Sequence, residues 1–200
     1  LVVTIVWGTT FVVIRDSRRD IDPFFLVFSR LLLAAVAMIV WCLWKDPAAL
    51  KSKPAVRFGA LLGFLLFAIY GSQTLGLRWT TSGHSAFITG SAVIMVPLIL
   101  RLVFRTPLKS GDLLGALAVL VGLYLLVYDP SVRVNAGDAV TLIAAFSYAL
   151  HVIATARAVR VAPVRGLVAW QFVWATLCGG AAYAVAGGEA YADPVKALFP

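Results

Sequence analysis

The sequence predicts an all-α polytopic membrane bundle, and three observations carry that prediction. Hydrophobic residues make up 62% of the 200 and charged residues only 13%, with a mean hydropathy of +0.95. Soluble domains run at about 45–50% apolar and about 25% charged. The apolar residues gather into runs that suit a hydrocarbon core about 30 Å thick, which takes roughly 17–25 residues of helix per crossing. Finally, a pattern of span, short charged loop, proline and span recurs at an offset of about 140 residues.

The runs follow one another in order. The first, residues 1–14, is several residues short of a span and opens on Leu1 inside apolar sequence, so an earlier start is expected. No basic start or small-residue cleavage site marks it as a secretory signal. The second covers residues 23–44, with Pro23 in the first turn and Arg30 as its only charge. The third and fourth, residues 58–77 and 85–100, form a hairpin through the corner Trp79-Thr80-Thr81-Ser82, the fourth extending toward Phe104. The fifth, residues 111–128, and the sixth, residues 137–156, begin with Asp112 and Asp138, where a helix N-terminus favours an anion. The seventh, residues 166–188, carries Gln171 and no charge, and the tail after it is too short and polar to span.

Lys and Arg fall between these runs. With a cytoplasmic N-terminus, the inside loops hold Lys45, Lys51, Lys53, Arg57, Arg101, Arg105, Lys109, Arg157, Arg160 and Arg165. The outside loops hold Arg15, Arg18, Arg19, Arg78, Arg133 and Lys196. About ten against about six favours that orientation, although the RDSRR loop opposes it. The net charge of +8 does not point to nucleic acid, because its sources lie in short inter-span segments and not on a basic face.

At the repeat offset the first two spans fall on the sixth and seventh: Pro23 meets Pro163 and Val12 meets Val152. If the unit is five helices, its second copy enters the membrane the other way round, an inverted repeat that stops after two helices.

Candidate functional residues are polar groups inside spans, which are costly there and tend to face protein or a water-filled cavity. Arg30 lies about 10 Å along its helix. It is either a snorkelling or helix-pairing arginine, or a cavity-lining cation that attracts anionic solute groups. His151 and Gln171 replace the apolar repeat mates Phe11 and Leu31; they serve either as satisfied core residues or as a proton relay and a solute contact. Tyr70 and Gln73 share one helical face, as do Ser85 and Thr89. Gly83, Gly90 and Pro97 form a narrow small-residue stripe, suited to close packing and to a proline-weakened helix beside a solute path. Gly59-x-x-x-Gly63 and Gly111-x-x-x-Gly115 are further packing motifs. His84, at the mouth of the fourth span, is expected at the interface and not as a ligand.

No cofactor or metal is expected. The sequence has no CxxC, HExxH, in-span carboxylate pair, Ser/His/Asp set or phosphate-cradling glycine loop, and Cys42 and Cys178 sit far apart in apolar runs. An enzyme acting on lipid-linked substrates would need acids clustered at one interface, whereas Asp112 and Asp138 fall on opposite sides in this topology. A non-transporting scaffold is a third reading.

The segments WGTTFVVIRD, DPFFLVFSRLLLAA, QTLGLRWTTSGHSAFITGSAVIMVPLI and GDLLGALAVLVGLYLL resemble the EamA-type ten-helix permeases of the drug/metabolite transporter superfamily. GDAVTLIAAFSYALHVIATAR matches more loosely. The resemblance implies two inverted five-helix repeats: the first over residues 1–128, a loop at 129–136, and a partial second over 137–200. It implies a multi-pass inner-membrane permease for amino acids, metabolites or drugs, often outward, working by alternating access. The partners expected are a small-molecule solute and the lipid bilayer, with a homodimer left open. Trp7, Arg30, Gln73, Ser85 and Thr89 fall on the family's polar and aromatic positions. With Tyr70, Tyr148, His151 and Gln171 they complete the expected solute-facing set: aromatic walls from Trp7, Tyr70 and Tyr148, charge from Arg30 or His151, hydrogen bonds from the rest.

Overall fold

The computed structural model describes residues 22–108, 110–127 and 133–186, and among these all regular structure is helical. The helices are α1 (Pro23–Lys45), α2 (Pro47–Leu50), α3 (Lys53–Gly76), α4 (Ser82–Gly90), α5 (Ala92–Leu102), α6 (Ser110–Val127), α7 (Ala136–Ala158) and α8 (Val164–Val185). With α4 and α5 taken together as Ser82–Leu102, six are long and apolar enough to cross a membrane. These are the second to seventh spans expected from sequence; the first lies outside the described residues, as does the polar tail.

The starts of the helices are written locally. Asp22 accepts from the backbone N–H of Phe24 and Phe25 at 2.8 and 3.1 Å, with Pro23 next to it. Ser52 caps α3, Thr81 caps α4, and Asn135 with Asp138 forms a capping box on α7. Each cap satisfies backbone donors that have no carbonyl partner in the first turn.

The fourth span is broken, where a single helix was expected. The irregularity falls at Ser91, whose hydroxyl donates to the Ile88 carbonyl at 2.6 Å, while its backbone N–H lies within reach of both Phe87 and Ile88. Pro97, inside α5, has no N–H to return to the preceding turn. A serine bonding back into the helix and a proline one to two turns later together loosen this segment.

The largest interfaces are α3 with α8, α3 with α7, and α1 with α8. Glycine makes the first possible. A Cβ on Gly63 would stand 2.6 Å from both the Gln171 carbonyl oxygen and the Trp174 Cβ, and one on Gly59 would stand 2.5 Å from the Trp170 Cβ. Small residues that let backbones approach are the usual basis of helix association in lipid, where burial of apolar surface gives no advantage over the tails. The stripe at Gly83 and Gly90 packs likewise on α6, against Val127 and Leu123. Gly111 and Gly115, by contrast, meet nothing within 4 Å, so that motif is not a packing face among the described residues. α6 touches α4 and α5 and leaves most of its surface outward.

α1 runs antiparallel to α8. Phe25 pairs with Tyr183, Phe28 stacks on Tyr183 and lies under Gly179, and Trp41 lies beneath the Arg165 guanidinium. Lys45, Lys53, Arg101, Arg157 and Arg165 gather at one end of the bundle, tied by the Arg165–Asp46 pair at 3.8 Å and by Arg157 over the Phe104 ring at 3.6 Å. The other end carries Arg78, paired with Asp22 at 3.9 Å. A short helix that the sequence did not announce, α2, seals the cationic end, where the Trp170 Nε1–H donates to the Leu50 carbonyl at 3.0 Å.

Gly63→Val should therefore overfill the α3–α8 seam by about 1–3 kcal/mol. Thermal unfolding of the detergent-solubilised full-length protein is expected to shift downward, while Gly115→Val leaves it unchanged.

Candidate functional site

Two polar clusters form inside the bundle. In the first, the Arg30 guanidinium carbon lies 4.9 Å from the Tyr70 ring centroid, so α1 is linked to α3 by a cation over an aromatic face. Its Nη1 is buried without a hydrogen-bond partner, and no acid among the described residues pairs with it. One helical turn further along α3, buried Gln73 donates from Nε2 to the Thr89 hydroxyl on α4 at 3.0 Å. Ser85, one turn before Thr89, is wholly buried and its hydroxyl has no partner. Ser85 and Thr89 thus face protein, not lipid, and Thr74 adds a second unpartnered buried hydroxyl beside Gln73.

In the second cluster, His151 on α7 meets the Gln171 side-chain oxygen on α8 at 3.2 Å through Nε2, and Thr155 lies 3.5 Å from Nδ1. With Gln171 presenting its oxygen, the ring donates from Nε2, and a neutral ring in that tautomer accepts at Nδ1. Trp174, one turn beyond Gln171, has its indole N–H buried and unpartnered, a feature that the sequence reading missed. Tyr148 is half-buried on α7, and Trp7 lies outside the described residues.

The structure therefore brings together Arg30, Tyr70, Gln73 and Thr89, and separately His151 and Gln171. No hydrogen bond or ring contact among the described residues joins the two sets. Arg30 lies in the half of α1 nearer Asp22 and Gln171 in the half of α8 nearer the cationic end, so the clusters lie toward opposite ends of the bundle.

A third cluster was not foreseen. Asp138, 6% exposed, accepts from the Thr80 hydroxyl and from the Asn135 backbone N–H at 3.0 Å, and its Oδ2 lies 3.4 Å from the His84 Nδ1. His84 is thus a carboxylate partner and not merely an interfacial side chain. The corner between α3 and α4 is bolted by these contacts to the start of α7. Each half was visible separately, Thr80 and His84 at the corner and Asp138 at a helix start, but their meeting across more than fifty residues has no local signal.

Apolar spans enclosing paired polar side chains define a multi-pass membrane protein built around internal polar seams. The model of the EamA-like transporter family matches residues 1–128, and the chain belongs to that family. An uncharacterized transporter of Archaeoglobus fulgidus is 27% identical over 169 residues, covering 84% of this chain and 51% of its own. The uncharacterized transporter YdfC of Bacillus subtilis is 26% identical over 159 residues, covering 77% of this chain and 51% of its own. The chain spans about half the length of the curated relatives it matches. No solved structure matches it. Family and relatives point to a transporter and not to an enzyme.

Gln73→Leu or Thr89→Val alone leaves one buried polar group unpaired and should lower stability by about 1–3 kcal/mol. The double variant should recover part of that loss. A double-mutant cycle on the thermal midpoint checks it, with additive losses counting against the bond.

Proposed function

We propose that this chain forms part of a permease that moves small organic solutes, such as amino acids, metabolites or drugs, across the inner membrane by alternating access. The observation that carries the proposal is Arg30: a cation within an apolar span, held against Tyr70, with a buried nitrogen unpartnered and no acid paired to it among the described residues. An ionised side chain in such a place calls for an anionic group, and a solute carboxylate supplies one. Tyr70 gives that solute an aromatic wall, and Gln73, Ser85 and Thr89 give it hydroxyl and amide contacts. His151 and Gln171 serve the other half of the path.

The domain scheme of a first repeat over residues 1–128 and the start of an inverted second over 137–200 has support in the register of α1 on α8. Phe25 meets Tyr183, Phe28 meets Gly179 and Trp41 meets Arg165. The midpoint of that register falls at about residues 34 and 174, which are mates at the offset of about 140, as a two-fold axis in the membrane plane requires. The gathering of Lys and Arg at the Lys45 end supports a cytoplasmic placement of that end and an outward placement of the Asp22 end.

The test is flux in vesicles reconstituted with the full-length protein and challenged with a panel of amino acids and other carboxylates. Arg30→Ala is expected to abolish carboxylate flux at unchanged membrane abundance, and Arg30→Lys to retain part of it. Unchanged flux, or lost abundance in both variants, returns Arg30 to a packing role. For orientation, a cysteine at Ser52 should react with an impermeant maleimide only from the cytoplasmic side; labelling from outside reverses the topology.

A further inference from the structure

The polar cluster at Asp138 forms part of the wall of a cavity that the carboxylate-binding seam does not include. The space, about 510 Å³, lies between α4, α6 and the start of α7. Phe87, Tyr124, Val127 and Leu142 are among its apolar lining, and His84, Asn135 and Asp138 are polar residues in its wall. Its volume falls within the range of about 300–1,000 Å³ usual for small-molecule sites, and its lining has the usual character of apolar walls with a few convergent polar atoms.

The electrostatics of this cavity are opposite to those at Arg30. Asp138 is a nearly buried carboxylate, and among the described residues no Lys or Arg pairs with it; its side-chain neighbours there are Thr80 and His84. A neutral His84 ring donates from Nδ1 to Oδ2 and leaves the Nε2 lone pair as an acceptor. The Asp138 oxygens already accept from Thr80, Asn135 and His84, so a ligand meets the carboxylate's charge chiefly through the imidazole. Phe87 and Tyr124, with ring centroids 6.3 Å apart and edge to face, add two aromatic rings to the wall. A carboxylate solute would be repelled here, whereas an ammonium group finds an acceptor, a counter-charge and aromatic rings together.

The geometry points to a second binding site, for organic cations that carry an N–H donor on an apolar body, between His84, Asp138, Phe87 and Tyr124. The ammonium donates to the His84 Nε2, the apolar body fills the space between α4 and α6, and the Asp138 charge holds the ring in its accepting tautomer. The site stands independently of the permease reading, since it concerns binding and lies away from Arg30 on other helices.

Equilibrium binding of radiolabelled phenethylamine to the full-length protein in nanodiscs tests it, with phenylacetate and 2-phenylethanol as competitors. Phenethylamine is expected to bind saturably, with neither competitor displacing it at equal concentration. His84→Ala is expected to weaken binding about tenfold, a change of about 1.4 kcal/mol. Phe87→Ala, on the apolar wall, should weaken it similarly and serves as the second variant if His84→Ala lowers the yield of folded protein. Absence of saturable amine binding, as when lipid or further chain fills the space, would overturn the assignment. Equal displacement by the alcohol, or unchanged affinity in both variants, would do the same. Because no flux is measured, failure of the Arg30 experiment leaves this result standing, and the reverse also holds.

Discussion

The close approach of α3 to α8 at Gly59 and Gly63 is the contact on which the rest of the bundle depends. Inside a bilayer, apolar surface gains nothing by leaving lipid, so helices hold together by fitting closely and by satisfying the polar groups they carry. The two glycines allow the α3 backbone to lie directly on Trp170, Gln171 and Trp174. With that approach set, Leu62 reaches Leu167 in one core cluster, and Leu66 reaches Val27, Leu31 and Ala175 in another. The same seating carries Tyr70 to Arg30 and Gln73 to Thr89, because both lie further along the same helix.

Polar groups then divide into those that are closed and those that are open. Gln73 with Thr89, and His151 with Gln171, each answer the other's hydrogen-bonding needs across a helix interface. Nη1 of Arg30, the Ser85 and Thr74 hydroxyls and the Trp174 indole do not find partners. Buried donors and hydroxyls without partners are uncommon in folded proteins and mark places where something else is accommodated. Their distribution over α1, α3, α4 and α8 gives the seam its character more than any single residue does.

Much of this was legible in the sequence, and the limits are physical. Span length is a local property, so the six described crossings follow from neighbouring residues, as do the starts near Pro23 and Asp138; the cap at Ser52, ahead of the uncharged run from residue 58, was not read. The inward direction of Ser85 and Thr89 was also legible, since polar residues four apart share a face and avoid lipid. The packing partner of each helix was not, because lipid-facing and protein-facing surfaces are both apolar: Gly59-x-x-x-Gly63 and Gly111-x-x-x-Gly115 read alike, yet only the first meets a neighbour among the described residues. The break in the fourth span lies at Ser91 and not at the more conspicuous Pro97, because a serine's bond to its own helix depends on rotamer and not on residue type alone. The meeting of His84 with Asp138 required the tertiary fold.

The unequal apolarity of the spans bears on how the protein is made. α8 is the least apolar of the six described crossings, yet it contributes to two of the three largest interfaces; α6 is more apolar and mostly exposed among the described residues. A translocating ribosome therefore releases α6 as a segment able to partition into the bilayer unaided. α8, with Gln171 in its first half, enters a membrane where α3 already stands with its glycine groove open. The early helix acts as a template for the late one, and a lesion in that groove would act first on membrane integration, before any solute is met.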